Sequence, residues 1–292
     1  MPAIGFKYQA GPYTLMEVSF EACFNGLVDM EKLGCTISTL KYMAKQRPND
    51  RKPSTTELLT GTCEAYLKRT ENYFINPQER AFALTGTMHH EKLEDSDDDI
   101  LSEKAMERHG ITGILDMYDP KSKALVDYKN CGSYKVAQVL GMSFCLIDDP
   151  SGAVYLRNGK WGRKGSPKKV KEFYKNEEKA DFGDWKWQLN WYRYMLECEG
   201  YEVDKMYIQA TVRDGGIQMA RERGIDRNIY LIKVPMIDNE RLKEKFLEKR
   251  DLLLKALETK ELPEKCNEEE TWGGVKCERF CDVRHSCPYV KE

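Results

Sequence analysis

Residues 113–130, GILDMYDPKSKALVDYKN, constrain the fold of this chain more than any other stretch. Apolar and β-branched runs lie on either side of Asp119-Pro120-Lys121-Ser122-Lys123. That is a turn composition in which the fixed φ of proline is useful, so a β-hairpin is expected. With the loop centred between Lys121 and Ser122, Asp116 and Asp127 are equally far from the turn and face each other across the hairpin. Directly opposed strand residues have Cβ atoms about 4.5–5.5 Å apart, and like charges placed so destabilise the pair unless something compensates them. A divalent cation is the natural compensation. Lys129 lies two residues beyond Asp127, so strand alternation puts its ammonium on the same face. Carboxylates that hold a hard cation, with a lysine beside a cation-activated water, suit metal-assisted hydrolysis. A D-x-K tripeptide is also common on surfaces, and an aspartate beside a turn is ordinary turn chemistry. The flanks argue otherwise: Asp116 sits among Ile114, Leu115 and Met117, and Asp127 follows Ala124-Leu125-Val126, where a purely structural strand avoids charge.

The chain has 292 residues, enough to bury a substantial core. Its 41% hydrophobic and 32% charged residues describe a soluble globular protein. The formal net charge of -2 excludes a globally basic nucleic-acid binder, so such a partner would have to meet a local patch. The sequence has no long apolar run and no charged-then-apolar leader, so neither a membrane span nor a signal peptide is expected, and an intracellular, cytoplasmic protein is. In that compartment the 10 cysteines read as free thiols and metal ligands, not as a disulfide framework. Cys23, Cys35, Cys131, Cys145 and Cys198 lie among apolar segments and read as small core residues. Cys266, Cys277, Cys281 and Cys287 crowd into the last stretch of the chain and need another account.

Three regions are expected. Residues 1–53 form an N-terminal extension packed on the main domain and end in a polar, proline-bounded connector. A core follows over 54–262, and 263–292 is the cysteine-rich segment. From Ser54 the pattern turns helical, with Ser54 or Thr55 as cap and Cys63 within it. A second helix is expected near Gly86-Thr87, carrying His89 and His90. His90 shares a face with Glu94 and could offer an imidazole to a metal at the hairpin, although one of two adjacent histidines can equally be merely exposed. Residues 134–148 read as a helix and then a strand. Residues 157–169 are dense in Lys and Arg, with Gly and Pro preventing regular structure. Lys160, Arg163, Lys164, Lys168 and Lys169, with Trp161 among them, suit a nucleic-acid backbone, and a solvated loop is the competing reading. An amphipathic helix over 184–199 has Trp185, Leu189, Tyr192 and Leu196 on one stripe, and Gln188 and Tyr192, four apart, meet on it. Strands over 205–213 and 228–234 and a charged helix over 239–258 complete the core.

Gly86-Thr87-x-x-His90, Gly113-Ile114-Leu115-Asp116, Asp127-Tyr128-Lys129 and Gln188-x-x-x-Tyr192 occur in this order, and together they resemble the RecB-like branch of the PD-(D/E)xK nuclease superfamily over roughly residues 54–290. The resemblance implies an α/β, restriction-endonuclease-like fold, a mixed central β-sheet flanked by helices, that cuts DNA or RNA phosphodiesters with Mg²⁺ or Mn²⁺. It implies His90, Asp116, Asp127 and the main-chain carbonyl of Tyr128 as metal ligands and Lys129 at the attacking water. Gln188 and Tyr192 would steady the site and the strand. Asp127 stands where many relatives have the longer Glu. The cysteines extend the likeness to the iron-sulfur subgroup, which includes CRISPR-associated RecB-like nucleases and the AddB nuclease domain. On that likeness Cys63, Cys277, Cys281 and Cys287 would hold a 4Fe-4S cluster that closes the C-terminal segment on the early helix. Two features depart from the subgroup's pattern: three residues separate Cys277 from Cys281 where two are typical, and Cys266 is an additional thiol. A zinc site of Cys266, Cys277, Cys281 and Cys287, near His285, is the alternative. The function expected is a metal-dependent deoxyribonuclease, an exonuclease or end-processing enzyme of recombination, repair or a mobile element. Its partners would be DNA and a recombination, replication or CRISPR-type protein. The contrasting readings are a nucleic-acid-binding module with a structural cysteine site and a silent pocket, and a hydrolase of another phosphoester.

Overall fold

The computed structural model describes residues 3–11, 14–46, 48, 50–93 and 100–290, and the side chains of residues 83 and 87–93 lie outside the description. The chain begins with β1 (Ala3–Gly11), β2 (Thr14–Ser19), α1 (Phe20–Phe24), α2 (Met30–Leu33), α3 (Ile37–Met43), α4 (Thr55–Leu58), α5 (Thr62–Thr70), β3 (Tyr73–Ile75) and α6 (Pro77–Leu93). It continues through β4 (Leu101–Arg108), β5 (Ile111–Asp119), β6 (Ala124–Cys131), α7 (Ser133–Val139), β7 (Met142–Asp148) and β8 (Lys169–Lys175). It ends with α8 (Asp184–Cys198), β9 (Lys205–Val212), α9 (Gln218–Arg221), β10 (Ile229–Lys233), α10 (Asn239–Thr259) and α11 (Val275–Arg279). This is a mixed α/β fold. Among the described residues no helix is long and apolar enough to cross a membrane. Two compact units emerge: residues 1–127, 184–206 and 235–292 form the first, and 128–183 with 207–234 the second.

In the first unit, β1 pairs antiparallel with β2 and parallel with β3. Phe6, Cys23, Leu40 and Ile75 are buried beneath them, so the N-terminal segment has a hydrophobic core of its own. Ser54 caps α4 in a full capping box with Glu57, as the run from Ser54 predicts. Glu57 also receives the buried Arg69 guanidinium at 2.5 and 2.8 Å. Helix α6 starts well before the expected Gly86. Asn76 accepts from the Gln78 amide at 3.1 Å and Pro77 takes the first helical position, a start signal that outweighs the weaker apolar pattern. Helix α8 matches its expected span almost to the residue and buries Leu189, Trp191, Tyr192 and Leu196. Trp191 stacks on Phe246 of α10 with ring centroids 4.4 Å apart. Two further residues of α8 fasten the approach to α10: Asn190 donates to the Pro235 carbonyl and accepts from the Ile237 amide, and Arg193 donates to the Ile237 carbonyl.

The expected hairpin forms. Strands β5 and β6 pair antiparallel through Met117↔Val126, Tyr118↔Leu125 and Asp119↔Ala124, and β4 lies on the other side of β5. The amides of Asp204 and Lys205 donate to the carbonyl of Lys123, which starts β9 beside β6.

In the second unit the rest of β6 neighbours β9, where the Arg213 amide donates to the Cys131 carbonyl at 2.9 Å, and β10 pairs antiparallel with β9. A separate antiparallel ribbon, β7 with β8, has Phe144 opposite Phe173. The basic run expected to be irregular is so through Lys168, and β8 begins at Lys169. Two of the scattered cysteines do not join a core: Cys145 and Cys198 are exposed, whereas Cys23 and Cys131 are buried. Cys145 lies opposite Glu172 on the exposed two-stranded ribbon, and Cys198 is the last residue of α8, past its buried stripe.

Candidate metal and nucleic-acid sites

The three hairpin pairs are centred between Lys121 and Ser122, the centre expected from the turn composition. Continued by one step, that register sets Asp116 against Asp127. Asp127 is 2% exposed and Asp116 half-buried. A carboxylate is buried this completely only where hydrogen bonds or cations satisfy it. Oxygen donors of this kind fit a hard divalent ion. His90 lies on the backbone of α6, and its side chain falls outside the described residues. Tyr128 and Lys129 are half-buried and belong to the second unit, as the residues with which β6 enters it.

Gln188 and Tyr192 form the expected pair, the amide donating to the phenol oxygen at 3.1 Å. The tyrosine ring packs on Gly113 of the hairpin so closely that a Cβ there would stand 2.7 Å from Cε1 and 3.0 Å from the Thr55 hydroxyl. That motif glycine is therefore a steric requirement of the helix–strand contact. A cavity of about 720 Å³ has Thr55, Gly113, Ile114 and Tyr192 in its wall and Arg51 and Lys52 at its rim.

All five cysteines named for the metal cluster line one cavity of about 610 Å³: Cys63 from α5, with Cys266, Cys277, Cys281 and Cys287. The Cys63 thiol hydrogen-bonds to Cys266 and interacts with Cys287. The bond from Cys63 brings the Cys266 thiol down to about 7 against the effect of burial, and the same bond, with burial, raises Cys63. Burial pushes Cys281 up to about 11. Among the described residues no three Cys, His, Asp or Glu side chains converge on a common metal position. The donor chemistry still fits: thiolates are the ligands of both iron-sulfur clusters and structural zinc. The fifth thiol lies with the other four, so both ligand sets remain within one cavity. His285 is not part of its lining.

A chain of ion pairs holds the C-terminal segment against α5. Lys276 reaches Glu64 at 2.5 Å, Lys68 bridges Glu64 and Asp282 at 2.8 and 3.2 Å, and Arg80 approaches Asp282 at 3.3 Å. Burial works against the Glu64 carboxylate, yet Lys68 and Lys276 hold it below the ordinary glutamate range. Of these contacts only Glu64–Lys68, four apart on a helix, has a local signature in the sequence.

The second unit carries 16 Lys and Arg against 9 Asp and Glu, a net charge of +7 within a chain whose total is -2. Trp161, at 79% exposure, lies in its basic loop with the Lys160 ammonium 5.5 Å from its ring centroid. Arg163, Lys164 and Lys168 belong to the same loop, and Lys169 opens β8 with an ion pair to Asp148 at 2.6 Å.

No protein-family model and no curated protein matches the chain. A solved structure titled "Crystal structure of SSO0001" is similar over 92% of this chain and 100% of its own, at 12% identity and a TM-score of 0.42, too distant a likeness to carry an argument.

Proposed function

We propose that this chain is a Mg²⁺- or Mn²⁺-dependent deoxyribonuclease with a restriction-endonuclease-like core, acting as an exonuclease or end-processing enzyme. The observation that carries the reading is the hairpin register: carried one step beyond Met117↔Val126 it would bring Asp116 opposite Asp127, which is nearly fully buried, with Lys129 two residues further along the same strand. Two opposed carboxylates without a cation would weaken a hairpin that is otherwise well formed. Asp116 and Asp127, with the His90 imidazole and the Tyr128 carbonyl, would hold the ion. Bound there, it supplies Lewis acidity and lowers the pKa of a water. Lys129 orients that water and offsets the charge that develops as the phosphodiester is attacked. Tyr192, fixed by Gln188 and by Gly113, keeps α8 seated against β5. The +7 charge of the second unit supports a polyanionic substrate.

The test is cleavage of end-labelled single- and double-stranded DNA with Mg²⁺, Mn²⁺ or EDTA. Asp116→Asn, Asp127→Asn and Lys129→Ala should each abolish cutting, and combining them should add nothing, because each removes part of the same step. The asparagines keep the shape of the buried site. A Lys129→Ala protein that cuts at an undiminished rate, or cleavage that survives EDTA, refutes the assignment.

A further inference from the structure

We infer that the second unit binds an unpaired nucleic-acid strand on a face built from Tyr134, Phe144 and Phe173, with Lys171, Lys179 and Arg223 meeting its phosphates. The inference concerns binding and stands whether or not the carboxylate pair cleaves. Tyr134, Phe144 and Phe173 border a shallow cavity of about 350 Å³ that lies wholly within this unit, with Lys179 and Arg223 on its rim. Two of the rings are presented to solvent: Tyr134 is 68% exposed and Phe144 50%. An isolated exposed aromatic is unremarkable, but here three share one cavity with cations beside them. Lys171 Nζ stands 4.5 Å from the Phe144 centroid and 6.0 Å from that of Phe173, and the Arg223 guanidinium lies 5.9 Å from the Tyr134 centroid.

Close packing and hydrogen bonds fix this surface in place. Gly224 has φ +78°, and a Cβ on it would lie 2.6 Å from Met142 Cε and 2.7 Å from Phe173 Cδ1, so a side chain there would collide with the floor. Arg223 is held in place by donating to the Ser133 hydroxyl at 2.7 Å, with Asp214 at 3.5 Å. The one acidic group on the rim, Glu222, is engaged by the Gln218 amide at 2.8 Å.

Aromatic faces interleaved with cations match the two parts of a nucleotide, a planar base and an anionic phosphate. The choice of an unpaired strand follows from geometry, because a duplex shows proteins its backbone and base edges while its base faces are stacked away. An acidic protein partner would satisfy the charge and leave the rings without a reason.

The experiment is fluorescence anisotropy of the full chain in EDTA, so that no cleavage occurs, with a labelled oligothymidylate and oligouridylate of about 12 nucleotides and a duplex of equal length. The unpaired strands should bind at least tenfold more tightly than the duplex. Phe144→Ala should weaken them at least fivefold and leave the duplex unchanged, whereas Phe144→Trp should retain affinity. Lys171→Gln and Lys179→Gln should each flatten the log–log salt dependence by about 0.7. Tyr134→Ala repeats the test at a more exposed position should Phe144→Ala fold poorly, with melting curves as the check. The inference is overturned if both alanine variants bind like wild type, or if they lose single strand and duplex alike. Loss of cutting in Mg²⁺ with this binding intact would count against the nuclease reading alone.

Discussion

Gly113→Ala is a small change with a calculable effect. Gly113 lies in a strand with no left-handed φ, so its backbone tolerates alanine, and the cost comes from packing alone. The added methyl would sit 2.7 Å from Tyr192 Cε1, 3.2 Å from Cδ1 and 3.0 Å from the Thr55 hydroxyl. None of these atoms can withdraw easily. Tyr192 is 3% exposed and held by Gln188, and Thr55 is 0% exposed and donates to the Thr112 carbonyl at 3.0 Å. Overpacking of this kind costs about 1–3 kcal/mol, and two immobile neighbours place the expectation near the upper half, about 2–3 kcal/mol. With a urea slope of about 1–3 kcal/mol/M, the midpoint should fall by roughly 1 M. Tryptophan fluorescence is the suitable probe, because Trp185, Trp187, Trp191 and Trp272 all lie in the first unit. In a Tyr192→Leu background the clashing ring edge is gone, so the same alanine should cost about 1–2 kcal/mol less. A Gly113→Ala protein with the wild-type midpoint, or strict additivity in the double variant, would refute the steric account.

The cysteine cavity is tested by metal content after anaerobic purification. Cys63→Ser should lose the iron and visible colour while Cys266→Ser keeps both; a colourless wild type with zinc that Cys266→Ser loses would establish the other ligand set. Glu64→Gln should destabilise the first unit by about 3 kcal/mol at neutral pH, since it leaves Lys276 and Lys68 facing a neutral amide in a mostly buried setting. Because the folded-state pKa of Glu64 is depressed, its contribution is full above the ordinary glutamate value and is lost as pH falls through the folded one. The stability gap between wild type and Glu64→Gln should therefore close in acid, and a gap that does not vary between neutral and acid pH would contradict the ion-pair account.

Some of these features are legible within a few residues of the chain. The turn at 119–123 sets its own centre, and that alone determines which residues oppose each other in β5 and β6. The Ser54 capping box, the stripe of α8 and the Gln188–Tyr192 pair are likewise local, because caps and i,i+4 contacts join groups that the helix itself makes neighbours. The early start of α6 was also written locally, in Asn76-Pro77, beneath an apolar pattern that pointed later. Other features have no local signature. The hydrogen bond between Cys63 and Cys266 and the Lys276–Glu64 pair join positions some two hundred residues apart, and they form only because α5 and the C-terminal segment share buried surface. The charge division is of the same kind. A net of -2 says nothing of a +7 unit, because that unit is assembled from two separated segments, 128–183 and 207–234, which are brought together by the neighbouring of β9 and β6 and by contacts such as Arg223 with Ser133. Sequence alone determined most of the elements and the centre of the β5–β6 hairpin, whose energies are set by neighbours along the chain. Tertiary structure decided which distant side chains share a cavity or a charged face, because burial is settled by surfaces that meet only after the elements have formed.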